Sequence, residues 1–271
     1  MVLIYFPKMI SHYWKTKPLI PFHINETALH SITQMIRAPA VNISRPLVTL
    51  KKPIKHVFVI VLESIRADAL PLNKSLADAV KSTFASEATA AKVTPLLNSL
   101  WTNSVHTVAS VTSSYTLKSL VSIFCGIYPL NVNFLKEANS ENFLYEKCLP
   151  ELLRETFRTK NNQSAFRSAF FTAARDDFDH QKDLFNKLKF DTTINGFDIY
   201  EEVGYVPDLG MFGPADSYIL PLMWKWIDNN LAEKQTKHLM MSLLVTGTHE
   251  PFPIPTDSPM DEYSFYIDDS P

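Results

Sequence analysis

"SVTSSYTLKSLVSIFCGIYP", residues 110–129, carries the pattern on which the fold turns. Leu117, Leu120, Val121 and Phe124 stand at i, i+3, i+4 and i+7. That spacing predicts a short helix that starts near Thr116, buries one face and stops at Gly126 before Pro129. Five hydroxyl residues, Ser110, Thr112, Ser113, Ser114 and Thr116, crowd its beginning. A helix start exposes unpaired N–H groups and the positive end of the dipole, which favour an anion. Two readings stay open for these hydroxyls: ordinary capping by Ser113 or Ser114, or a hydroxyl that works on a sulfate or phosphate ester.

Outward from this helix, the pattern alternates between strands and helices. "HVFVIVLES", residues 56–64, is a continuous, largely β-branched run, the pattern of a strand buried on both faces of a parallel sheet. Further strands are expected around Ala169–Thr172 and Leu239–Val245, with helical patterns in "FLYEKCLPELLRETF" and "SYILPLMWKWIDNNLAEK". Strand, helix, strand in this rhythm predicts an α/β fold, a mostly parallel sheet sandwiched between helices. Residues 1–55 read as an irregular, proline-punctuated lead-in with one short helix in "ETALHSITQMI", and residues 56–271 as the catalytic domain.

Ligands of open α/β sheets bind beyond the carboxyl ends of the strands. Here those ends are polar: Glu63 in "VLESIRADAL", the segment "ARDDFDH" after Thr172, and His249 in "TGTHEPF". A single acidic strand end is an ordinary solvated loop; three polar strand ends plus a hydroxyl-rich helix start point to a site.

Composition bounds the alternatives. The 271 residues are 46% hydrophobic and 20% charged, enough for a large core. A formal charge of -2 leaves no basic footprint for nucleic acid. Six glycines and no internal repeat argue against glycine-rich phosphate loops and solenoids. Cys125, in an apolar run, and Cys148, beside Lys147, sit in different contexts and define neither a disulfide framework nor a CxxC metal site, so the redox compartment stays open. The opening "MVLIYFPKMISHYW" is interrupted by Pro7 and Lys8 and reads as neither signal peptide nor membrane span. Sequons at Asn25, Asn42, Asn73 and Asn162 lean slightly toward a secretory setting.

Taken in order, "VIVLESIRADAL", "VTPLLNSL", "CGIYP" and "HEPF" resemble the sulfatase N-terminal domain of the alkaline-phosphatase superfamily. The similarity runs from about His56 to Phe252. Counting back from Pro129 by the family spacing, Thr116 occupies the position of the sulfatase cysteine or serine that becomes formylglycine. Lys118 stands for the motif's proline and Leu120 for its arginine. Threonine cannot become formylglycine, so the resemblance implies a sulfatase scaffold without that cofactor. A threonine nucleophile with a single glutamate on the first strand is instead similar to lipoteichoic acid synthases and phosphoethanolamine transferases, and "ARDDFDHQKDLFNKLKFD" resembles the synthases' region after their third strand.

What the resemblance implies is a metal-dependent hydrolase or transferase of sulfuric esters or phosphodiesters, with Thr116 as nucleophile and covalent carrier. Glu63 and Thr116 are implied ligands of one divalent cation, Mn, Mg, Ca or Zn. His249, Lys118 and His180 are candidate substrate contacts, each against a plainer alternative: a histidine before a proline turn, a solvent-facing lysine, a loop histidine. Arg175, Asp176 and Asp177 are expected to be mostly loop residues. The expected substrate is a small-molecule, lipid-linked or glycan-linked ester, in the secretory pathway, outside the cell or at the lumenal face of a membrane, with membrane association through residues beyond this chain. The family's remaining metal ligands come from a strand well after "HEPF", and "DEYSFYIDDSP" resembles the start of the helix before it. The domain is therefore expected to be incomplete at its C-terminus, and the alternative function is a non-catalytic sulfatase-like binding domain.

Overall fold

The computed structural model describes residues 54–65, 96, 99–100, 104, 113–127, 147–158, 164–177, 181–209 and 211–249. The described elements lie in a compact unit that includes Lys55–Pro271. Four strands, β1 (His56–Leu62), β2 (Phe166–Thr172), β3 (Thr192–Ile194) and β4 (His238–Val245), form one sheet in the order β1-β4-β2-β3. Every pairing is parallel. Between them run α1 (Thr116–Cys125), α2 (Leu149–Thr156), α3 (Gln181–Leu188), α4 (Gly196–Val203) and α5 (Ile219–Ala232), the last led by a 3-10 turn at Asp216–Tyr218.

The two faces of the sheet are covered separately. Val59 of β1, Phe166 and Phe170 of β2, and Met240 and Leu244 of β4 pack with Leu117, Leu120, Val121 and Phe124 of α1 and Leu184, Phe185 and Leu188 of α3. Phe124 meets Phe170 edge-on at 6.0 Å between ring centroids, a favoured aromatic geometry. On the opposite face Ala169, Phe171 and Leu243 pack with Ile199 of α4 and Ile219, Leu222 and Met223 of α5. The residues whose spacing predicted α1 are its buried ones, and the helix ends as expected: Gly126 takes the left-handed conformation, φ 66°, that only glycine adopts without strain, and its N–H bonds the Ser122 carbonyl at 3.1 Å.

Two expectations are corrected. Among the described residues β1 lies at the edge of the sheet and pairs with β4, and it is not buried on both faces: Phe58 and Ile60 are 43% and 39% exposed while Val59 between them is buried. An apolar run reports hydrophobicity but not lateral position in the sheet. Cys125 and Cys148, whose different sequence contexts defined no disulfide framework, form a disulfide joining the end of α1 to the N-cap of α2. The short helix expected in residues 26–36 lies outside the described residues.

Register sets up the site. Leu62 pairs with Val245, and Thr172 with Leu244, so β1, β4 and β2 end level with one another. The chain leaves all three strands at the same edge of the sheet.

Candidate active site

Glu63 follows β1 directly, and its N–H extends the ladder by one bond, donating to the Val245 carbonyl at 3.0 Å. Ser64 then takes a left-handed conformation, φ 57°, unusual for a residue with a side chain, and turns the chain away from the sheet. The strand thus delivers Glu63 to its very tip.

Thr116 is the first residue of α1, and its Oγ1 donates to Glu63 Oε1 at 2.8 Å, both residues half-buried. Ser113 and Ser119 bond within the loop that leads into the helix. Ser113 Oγ accepts from the Tyr115 N–H at 3.1 Å, and Ser119 Oγ donates to the Ser113 carbonyl at 2.9 Å. The N-cap residue Tyr115 makes no side-chain cap bond. Lys118 is half-buried two residues further on, with its carbonyl accepting from Ser122 Oγ at 3.3 Å.

His249 sits on the turn after β4. Its N–H donates to the Thr246 carbonyl at 2.9 Å, and its ring lies 4.5 Å from that of Phe212, inclined at 62°. The preceding residue ties this turn to β1, since Thr248 Oγ1 donates to the Glu63 carbonyl at 2.5 Å. Glu63, Thr116 and the turn bearing His249 therefore meet at one end of the sheet. His180 and residues 250–252 of "HEPF" lie outside the described residues.

Beside them, Arg175 Nη1 pairs with Asp208 Oδ2 at 2.9 Å, and its Nε lies 3.7 Å from Asp177. Asp208 also accepts from the Tyr200 hydroxyl. Burial, reinforced by that hydrogen bond, pushes the Tyr200 phenol up to about 12. Burial also raises the Asp176 carboxyl, with Lys182 opposing it. Arg175 and Asp177 are thus engaged with neighbouring loop residues.

Sequence reasoning overlooked Asp216. Its carboxylate accepts from the N–H of Thr246 at 3.1 Å and of Gly247 at 2.7 Å, so it grips the turn that carries His249. Burial lifts its carboxyl above the usual carboxylate range, and those two amides oppose the shift. Nothing in "GPADSYIL" signals this, because the contact spans 30 residues.

A carboxylate and a hydroxyl whose oxygens lie within hydrogen-bond distance suit a hard divalent cation as two of its ligands. Among the described residues no group of three or more His, Cys, Asp or Glu gathers to complete such a site. No helix among them is long and apolar enough to cross a membrane.

The model of the family described as Sulfatase matches residues 55–270. Three solved structures are similar to the chain. The lipoteichoic acid synthase LtaP from Listeria monocytogenes aligns with 78% of this chain and 47% of its own at 18% identity and a TM-score of 0.48. A protein in the alkaline phosphatase superfamily from Vibrio parahaemolyticus aligns with 77% and 44% at 12% identity, TM-score 0.45. The C-terminal periplasmic domain of EcEptC from Escherichia coli, in a complex with Zn, aligns with 74% and 46% at 15% identity, TM-score 0.44. The chain spans less than half the length of each. None of the curated proteins matches it in sequence.

Proposed function

The chain belongs to the sulfatase family, and on that premise we propose that it houses a metal-dependent phosphodiester transferase or hydrolase site in which Thr116 becomes the covalent carrier. The hydrogen bond from Thr116 Oγ1 to Glu63 Oε1 at 2.8 Å, at the carboxyl ends of parallel strands, carries this reading. It holds a nucleophile-type hydroxyl against an acceptor for its proton.

A divalent cation, Mn, Mg, Ca or Zn, would be held through Glu63 and Thr116, and when bound supplies the Lewis acidity that lowers a hydroxyl pKa and offsets charge on the ester oxygens. The residues do the rest. Thr116 Oγ1 attacks phosphorus in line as its proton passes by way of the Glu63 carboxylate to solvent, the bond to the leaving alcohol breaks, and that alkoxide takes up a proton from water. In this reading His249 hydrogen-bonds the substrate or the leaving-group oxygen, and Lys118 and His180 are substrate contacts. Attack by a second alcohol, or by water, then breaks the threonine O–P bond and restores the hydroxyl.

Phosphodiesters are preferred to sulfates for a chemical reason. A formylglycine hydrate can expel sulfate by collapse to the aldehyde, whereas a threonine sulfate has no such internal exit. The substrate is a small-molecule, lipid-linked or glycan-linked ester, and the setting is outside the reducing cytosol, in the secretory pathway or at a membrane's outer or lumenal face. The Cys125–Cys148 disulfide supports that setting, since cytosolic thiols are kept reduced.

The test gives full-length protein, with each of the four cations in turn, a chromogenic phosphodiester and an aryl sulfate in parallel. Phosphodiester turnover that is lost in Thr116→Ala and partly retained in Thr116→Ser is the expected result. Turnover on sulfate alone, or indifference to the Thr116 hydroxyl, overturns it. Ester binding without turnover would instead assign the chain as a non-catalytic sulfatase-like domain.

A further inference from the structure

We propose that Asp216 is a positioning residue for the site, clamping the turn that carries His249 at a fixed height against Glu63 and Thr116. The inference rests on the reading of the site given above, and it concerns a residue that touches neither Glu63 nor Thr116 through any described side-chain bond.

After Val245 the chain turns through Thr246, Gly247, Thr248 and His249, closed by the bond from the His249 N–H to the Thr246 carbonyl. Successive backbone N–H groups in such a turn form a small anion cradle. Here the protein fills the cradle with its own carboxylate. Thr246 N lies 3.2 Å from Asp216 Oδ1 and 3.1 Å from Oδ2, and Gly247 N lies 2.7 Å from Oδ2. The approach is close enough that a Cβ added to Gly247 would stand 2.9 Å from Asp216 Oδ2, so a side chain there would push the carboxylate from its present position.

The clamp is anchored on rigid ground. Asp216 opens the 3-10 turn that feeds α5, where the Tyr218 N–H bonds the Ala215 carbonyl at 3.0 Å and Ile219 is fully buried. At the next residue of the turn, Thr248 Oγ1 donates to the Glu63 carbonyl at 2.5 Å. Two grips on one turn leave it little freedom to rotate His249 away from the cleft. A catalytic group held loosely by even 1 Å loses much of its effect, which is what such supporting contacts prevent.

The experiment compares wild type with Asp216→Ala, Asp216→Asn, Gly247→Ala and His249→Ala by amide hydrogen exchange and by steady-state turnover of the chromogenic phosphodiester with Mn. Asp216→Ala should speed exchange at Thr246 and Gly247 about tenfold while the β2 and β4 amides keep their protection. It should lower kcat by about 10-fold to 100-fold, the cost of losing an outer supporting contact, with a smaller change in KM. Asp216→Asn keeps one acceptor oxygen and should recover part of both effects; Gly247→Ala should reproduce the Ala phenotype from the other partner.

Unchanged exchange at Thr246 and Gly247 overturns the clamp whatever the enzyme does. Faster exchange with full kcat in Asp216→Ala, beside impaired His249→Ala, overturns the positioning role while leaving the proposed function standing. Loss of the role assigned to His249 is separately read from full kcat in His249→Ala, and an absence of any turnover in wild type fails the functional reading; in both cases exchange still decides the clamp. Should Asp216→Ala unfold the chain, the Asn variant's exchange at the two amides makes the same decision.

Discussion

Thr248 Oγ1 donates to the main-chain carbonyl of Glu63 at 2.5 Å, so the turn after β4 is fastened to the tip of β1. The two residues are 185 apart in the chain and adjacent in space because β1 and β4 are parallel neighbours in register. Thr248→Val keeps the shape and removes the donor. A loss of about 0.5–1.5 kcal/mol is expected, read as a lower urea midpoint, with Thr248→Ser close to wild type. An unchanged midpoint in the valine variant would show that this bond adds nothing to stability.

Glu63→Gln retains an oxygen that can accept from Thr116 but removes the negative charge. The fold should be undisturbed by circular dichroism while the affinity for Mn, followed by calorimetry, falls by at least about 10-fold, the lower end of what outer-sphere losses cost a metal site. Equal affinity in the two proteins would remove Glu63 from the proposed cation site.

The Cys125–Cys148 bridge closes a loop with a sequence separation of 23, and both cysteines are buried. Constraining the unfolded chain to that extent stabilises by roughly 2–4 kcal/mol. The paired variant Cys125→Ser, Cys148→Ser should lose about that much, and mild reductant should leave the folded wild type oxidised because both sulfurs are covered. Rapid labelling of native protein by a thiol reagent, without reduction, would mean the pair is not bridged.

Tyr200 gives a pH signature. Its folded pKa of about 12 stands above the ordinary 10.0, first through burial and then through its hydrogen bond to Asp208. A raised folded value means that the folded chain holds the proton more tightly than the unfolded chain. Its contribution to stability is therefore complete below pH 10.0 and lost as the pH climbs through about 12. Absorbance at the phenolate band should show one tyrosine titrating late in wild type and absent in Tyr200→Phe; the Asp208→Asn variant should bring that titration earlier.

Much of the molecule was legible in one dimension. The spacing of Leu117, Leu120, Val121 and Phe124 determined α1 and its buried face, because a helix repeats every 3.6 residues whatever it packs against. Gly126 determined its end through a backbone conformation that other residues resist. The apolar runs located β1, β2 and β4, and their polar ends, with the ordered family motifs, located Glu63 and His249 at the edge where parallel strands finish. The rest depended on which elements became neighbours. β1 lies at the edge of the described sheet and leaves Phe58 and Ile60 exposed because lateral order follows from crossovers, which no apolar run records. β3 escaped notice because three residues show no period. Cys125 found Cys148, and Asp216 found the amides of Thr246 and Gly247, only when the helices had docked on the sheet. Periodicity is a property of the chain alone, whereas a carboxylate gripping a turn 30 residues away is a property of two surfaces brought together.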